Sequence, residues 1–138
     1  MDAVLGSWKL KQGTQKNLDV FFKAVGIPDA AAEMYSKREV LLTFTKDGDK
    51  YTLTEVINND PNKKSASYTV QMGKEIETID IDDTPLKLKV QWDGSKFQET
   101  YLYPQLSPIL TQREVAASLM KVAKTANGVT ATEEWEKY

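Results

Sequence analysis

From Glu39 to Tyr138, short runs of alternating apolar and polar residues are broken at near-regular intervals by turn-forming clusters. Alternation with period two suits half-buried β-strands and leaves little room for helix. The runs are Val40–Thr45, Tyr51–Ile57, Ser65–Gln71, Lys74–Ile81, Leu86–Trp92, Lys96–Tyr103, Ile109–Val115, Leu119–Ala126 and Val129–Tyr138. Between them stand Asp47-Gly48, Asn58–Asn62, Gly73, Asp82–Pro85, Asp93-Gly94, Pro104–Pro108 and Asn127-Gly128. Asp-Gly and Asn-Gly suit the tight turns of β-hairpins. With Ser7–Gln12 near the start, the chain predicts about ten strands in sequential hairpins. The expected fold is mainly β: a ten-stranded, up-and-down antiparallel β-barrel, closed so that no edge is exposed.

One segment breaks this pattern. Leu18, Phe21, Phe22 and Val25 are spaced i, i+3, i+4, i+7, one face of a helix, with Gly26 and Pro28 as stop signals. Asp29 is a candidate cap for a second helix through Ala30–Tyr35. A two-helix insert at about 15–37, between the first two strands, is therefore expected in a single domain spanning 1–138.

Composition removes whole classes of function. The 138 residues contain neither histidine nor cysteine. Ser-His-Asp and Cys-His catalysis and His/Cys zinc sites are thereby excluded, and no disulfide framework exists. A net charge of −2 without a basic block gives no footprint for nucleic acid. No apolar run approaches a membrane span, and Met1–Lys9 lacks the apolar core of a secretory signal. A cytoplasmic monomer with no cofactor is the expectation. Asp80, Asp82 and Asp83 lack the central Gly and terminal Glu of a calcium loop and read as a solvated turn.

Several segments carry a family resemblance. Leu5-Gly6-Ser7-Trp8-Lys9-Leu10, Asn17-Leu18-Asp19 leading to Lys23-Ala24-Val25-Gly26, Gly48–Leu53, Met72–Glu77, Arg113-Glu114-Val115 and Trp135-Glu136-Lys137 occur in the order and spacing of the intracellular lipid-binding proteins. The chain resembles that family, the cytosolic fatty-acid-binding and retinoid-binding proteins, from end to end. The resemblance implies a ten-stranded barrel of the lipocalin-like (calycin) kind, a helical lid and an internal, water-containing cavity. It also implies a ligand carboxylate held by two arginines and a tyrosine. One arginine matches Arg113. The family's final Arg-x-Tyr reads Glu133-Glu134-Trp135 here, so the usual clamp is altered.

The last hairpin can be registered from its turn alone. A two-residue Asn127-Gly128 loop pairs Ala126 with Val129, Lys124 with Ala131, Val122 with Glu133 and Met120 with Trp135 on one face. The other face, which includes Thr125, Thr130, Lys121 and Glu134, is wetter, so the first is the inner one. A buried Glu133 needs a cation or a raised pKa. Lys124, diagonal to it, and Arg113 are the candidate partners. If Lys124 takes Glu133, Arg113 stays free for a carboxylate. If Arg113 takes it, the site suits a neutral head group. The charges could instead satisfy only each other and bound water.

The expected ligand-binding residues are Arg113, Lys124, Glu133, Trp135, Val122 and Met120. The resemblance places Phe21, Phe22, Val25 and Met34 at a portal. Trp8 is expected to pack at the closed end, and Lys16 and Lys23 are candidates for transient membrane contact through the lid. The expected function is non-covalent binding and transport of a long-chain fatty acid or similar ligand. The alternatives are a carrier of a neutral amphipath (retinol, sterol or amide) and an interaction barrel with no cargo. Enzymatic activity is not expected, because Glu133 is the single inner-face carboxylate the sequence places, and it has cationic neighbours.

Overall fold

The structure, a computed structural model, describes residues 2–138. A 3₁₀ turn at Asp2–Val4 precedes β1 (Gly6–Leu10), then come α1 (Leu18–Val25) and α2 (Asp29–Ser36). The strands β2 (Val40–Asp47), β3 (Lys50–Ile57), β4 (Ser65–Gln71), β5 (Glu75–Ile79), β6 (Pro85–Trp92), β7 (Phe97–Leu102), β8 (Ile109–Ala116), β9 (Leu119–Ala126) and β10 (Val129–Lys137) follow. All ten lie in one antiparallel sheet ordered β4-β3-β2-β1-β10-β9-β8-β7-β6-β5. Pairing of β1 with both β2 and β10 joins the two ends of the chain. The sheet curls until β4 and β5 stand opposite each other. No ladder connects them among the described residues, and the turn between them is tied by Gly73 N–H to Val90 O at 2.8 Å. The barrel is thus nearly closed, and its two free edges face each other.

The expected elements are present, with shifted ends. The first strand stops at Leu10 rather than Gln12, and β5 stops at Ile79. The 3₁₀ turn was not anticipated. Asp29 does not cap α2: it is the first helical residue, Pro28 occupies the cap position with extended backbone, and no side chain caps the helix. Proline sets the entry angle there, while Asp29 still favours the helix N-terminus electrostatically.

Inward-facing side chains divide along the barrel axis. At one end Trp8, Phe44, Leu88, Phe97 and Met120 are almost wholly buried together. The Trp8 indole N–H donates to Val4 O at 2.8 Å, and Lys137 Nζ lies 4.4 Å from its ring centroid. Trp8 therefore packs at the closed end. At the other end Phe21 and Val25 of α1 pack on Ala126 and Ala131 of the last hairpin. Burial of two such side chains supplies about 1.5–3 kcal/mol each, enough to fix α1 on the rim. Gly26, at φ 101°, ends that helix in the left-handed conformation and returns N–H bonds to Phe22 O and Lys23 O. In α2 no residue is buried.

Candidate functional site

The last hairpin positions the first half of the site. Asn127 and Gly128 both have positive φ, 48° and 75°, as a type I′ turn requires. The register follows: Lys124 opposite Ala131, Val122 opposite Glu133, Met120 opposite Trp135. Glu133 and Trp135 are buried and Lys124 is partly so. Lys124 Nζ lies 3.1 Å from Glu133 Oε1, and the Trp135 indole N–H donates to Glu133 Oε2 at 2.7 Å. Burial pushes the Glu133 carboxyl up, but Lys124 and the indole hydrogen bond outweigh it and hold the group below its ordinary value.

The second half sits on β7 and β8. Arg113 is neither free nor paired with Glu133. Its Nε donates to Glu99 Oε2 at 2.5 Å and its Nη2 to Glu99 Oε1 at 3.3 Å, while the Tyr101 hydroxyl also donates to Glu99. Glu99 is completely buried. Phe97 lies opposite Arg113 and Glu99 opposite Thr111, so Arg113 meets Glu99 on the diagonal. Burial disfavours the guanidinium, yet the charge of Glu99 and its hydrogen bonds raise the Arg113 pKa further. Burial, then the Glu99 charge, pushes the Tyr101 phenol well up, keeping it neutral.

Above these pairs the lumen opens into two chambers. The larger, about 290 Å³, is bounded by Glu55, Tyr68, Tyr101, Thr111 and Arg113 below and by Phe21, Phe22 and Ile27 of the lid above. The smaller, about 220 Å³, lies over Lys124, Glu133 and Trp135. They share Phe22, Tyr35, Arg38 and Lys124 as lining residues and so adjoin each other. Together they fall in the range of roughly 300–1,000 Å³ that suits a small organic ligand. A groove of about 480 Å³ on the outside of the barrel involves mostly outward residues, such as Lys121, Ala123 and Thr132.

The rim above the larger chamber is built from ions. Arg38, just after α2, makes two hydrogen bonds to Asp82 at 2.6 and 2.9 Å, and Lys64 approaches the same carboxylate at 3.4 Å. The Tyr35 ring lies 4.8 Å from the Arg38 guanidinium and meets Phe22 edge-on at 6.0 Å. Asp80 accepts the backbone N–H groups of Asp82 and Thr84 and the Tyr103 hydroxyl. This acidic run is therefore not a merely solvated turn: it organises the chamber mouth.

Of the residues expected at the site, Lys124, Glu133 and Trp135 border the smaller chamber, and Arg113 borders the larger. Met120 and Val122 border neither and belong to the packed core. Among the expected portal residues, Phe22 borders both chambers and Phe21 the larger one. Val25 is buried under the lid, and Met34 is exposed. The expectation that Glu133 is the single inner carboxylate fails, because Glu99 and Glu55 also face inward. Their signal was available: Glu99 alternates with Phe97 and Tyr101, and Glu55 with Tyr51, Leu53 and Ile57.

No family model matches the chain. Individual relatives do. The 14 kDa fatty acid-binding protein of Schistosoma mansoni is 28% identical over 138 residues, covering 99% of this chain and 98% of its own. A fatty acid-binding protein of Schistosoma japonicum is 27% identical, with 99% of each chain covered. Among solved structures, the S. mansoni protein in complex with arachidonic acid superposes with a TM-score of 0.86 at 27% identity, covering 100% of this chain and 98% of that one. Secretory abundant heat soluble protein 4 of Ramazzottius varieornatus superposes with a TM-score of 0.88 at 23% identity, covering 100% and 96%, a likeness of fold alone. Along its whole length the chain is thus similar to fatty acid-binding proteins in sequence and in fold, in line with the resemblance its motifs carry.

Proposed function

We propose that this protein binds a long-chain fatty acid non-covalently in its lumen and carries it without chemical change. The observation that carries this reading is the two-chambered space, walled by the Phe21/Phe22 lid on one side and by buried ionic groups on the other. An acyl chain there gains about 0.8 kcal/mol per buried methylene, so the tail supplies most of the affinity and the polar floor sets orientation. The relative solved with arachidonic acid has the same fold and spans the same length, which supports the same ligand class here.

A binding role also suits the chemistry of the interior. Glu99 and Glu133 are each held by a cation, so two of the three inward carboxylates are tied up in ion pairs. The protein acts as a single-domain monomer in the cytoplasm. Val20 on α1 and Met34 on α2 are exposed apolar side chains on the lid, suited to brief membrane contact alongside Lys16 and Lys23. Displacement of a fluorescent fatty acid by oleate tests the central point. One saturable site per chain is expected, and the absence of saturable binding refutes the reading.

A further inference from the structure

Each cation bordering the lumen already has an anionic partner: Arg113 has Glu99, Lys124 has Glu133, and Arg38 has Asp82. Glu55 does not fit this pairing. It lies on β3 between Leu53 and Ile57, its cross-strand neighbours are Leu42 and Ala66, and its side chain borders the larger chamber. Among the described residues it makes no ion pair or side-chain hydrogen bond. A carboxylate head group entering this chamber therefore finds no uncommitted cation and one uncommitted carboxylate.

We propose that Glu55 is a specificity-determining residue of the lumen, sharing one proton with a bound fatty-acid carboxyl group and accepting a hydrogen bond directly from a neutral head group that carries its own donor. The proposal rests on the fatty-acid reading above. The proton balance is simple. Free ligand and Glu55 are both ionised near neutral pH, and the complex retains one proton between two carboxyl groups, taken from solvent. Two carboxylates sharing a site in which every cation is already paired favour holding one proton between them.

The groups facing Glu55 support this. Arg113 on β8 and Lys124 on β9 favour its ionised form, while Glu99 on β7 and Asp80 near the mouth oppose it. Tyr68 on β4 and Tyr101 on β7 border the same chamber as neutral phenols, and Tyr35 and Arg38 cover it from the lid side. Burial is the largest influence, and it pushes the Glu55 carboxyl up to about 6. Glu55 is thus mostly ionised at pH 7.5 yet readily protonated.

Because the complex holds one more proton than its separated parts, affinity for a fatty acid rises as pH falls, about tenfold per unit above pH 6, and levels off below it. Calorimetric titration of the full-length chain with dodecanoate, below its micelle concentration and in buffers of different ionisation enthalpy, reads this directly. Wild type is expected to take up close to one proton per ligand at pH 7.5. Glu55→Gln is expected to take up almost none and to lose the pH dependence, and dodecanol is expected to bind wild type without proton uptake. Dodecanoate binding to wild type with no proton uptake overturns the proposal while leaving the fatty-acid reading intact, and it does so whether or not the variant folds. Equal uptake by Glu55→Gln also overturns it. Failure of dodecanoate and oleate to bind at all removes the fatty-acid reading and this inference together.

Discussion

The closed end and the lidded end of the barrel are built by the same strands to opposite designs. Along β7 the inward residues run from Phe97 to Glu99 and Tyr101, and along β10 from Trp135 to Glu133 and Ala131. The closed end is apolar, and the void among its core side chains is only about 10 Å³, barely room for one water. A few residues further along, the same faces carry five ionisable groups, Glu55, Glu99, Arg113, Lys124 and Glu133, around a space many times larger. Dense packing supplies stability at one end, so the other end can remain open and polar. The lid repeats the contrast on a smaller scale. Helix α1 is fastened by Phe21 and Val25 and by Asn127 Nδ2 donating to Ala24 O at 2.8 Å. Helix α2 buries nothing and is held by Tyr35, Arg38 and their contacts.

The comparison can be tested from its strongest element to its weakest. Trp8→Ala is expected to cost about 3–5 kcal/mol in urea unfolding, since it leaves a cavity in the closed end. Folded variant should still bind fatty acid, because Trp8 is remote from both chambers. Strong loss of ligand affinity in folded Trp8→Ala would break the division between the two ends. Arg113→Met is expected to cost about 3–5 kcal/mol for a different reason: it strands the Glu99 carboxylate in the interior. Arg113→Met combined with Glu99→Leu should recover most of that loss. A double variant no more stable than Arg113→Met would show that the cost lies in packing, not in charge.

Lys124→Met should destabilise the fold by about 1–3 kcal/mol, because Lys124 is partly exposed and the indole of Trp135 still donates to Glu133. The pH dependence has a definite sign. The Glu133 carboxyl is held below its unfolded value, so its stabilisation is present above about pH 4.5 and is lost as pH falls through the lower folded value. In Lys124→Met this part of the acid sensitivity should shrink in unfolding curves between pH 3 and 6. Asp82→Asn should change stability least, by about 1 kcal/mol or less. Stopped-flow release of a fluorescent fatty acid should nevertheless quicken, because the tie from Arg38 and Lys64 across the mouth is lost. Unchanged release would place the lidded end's mobility elsewhere.

The register of the last hairpin was readable from sequence because Asn127-Gly128 allows a single two-residue turn. Glu133, Trp135 and Lys124 therefore came with their partners. The partner of Arg113 was not readable, because β7 and β8 are joined through Tyr103–Pro108, a loop that fixes no register, and the diagonal to Glu99 exists only once the register is known. Alternation alone could have placed Glu99 and Glu55 inside, but it cannot reveal that one is neutralised and the other left alone. A short acidic turn looks the same in sequence whether it faces water or, like Asp80 and Asp82, receives Tyr103 and Arg38 from distant segments. Alternation puts Met120 and Val122 on the inner face but says nothing of depth along the barrel, and both lie in the packed core.

The most direct test follows backbone amide resonances while oleate is added to the full-length protein. The account predicts that the largest shifts fall on Phe22, Glu55, Tyr68, Tyr101, Thr111, Arg113, Lys124 and Trp135, with Leu88 and Phe97 at the closed end scarcely moved. Shifts confined to Lys121, Ala123 and Thr132 on the outer face, or spread through the closed-end core, would contradict it.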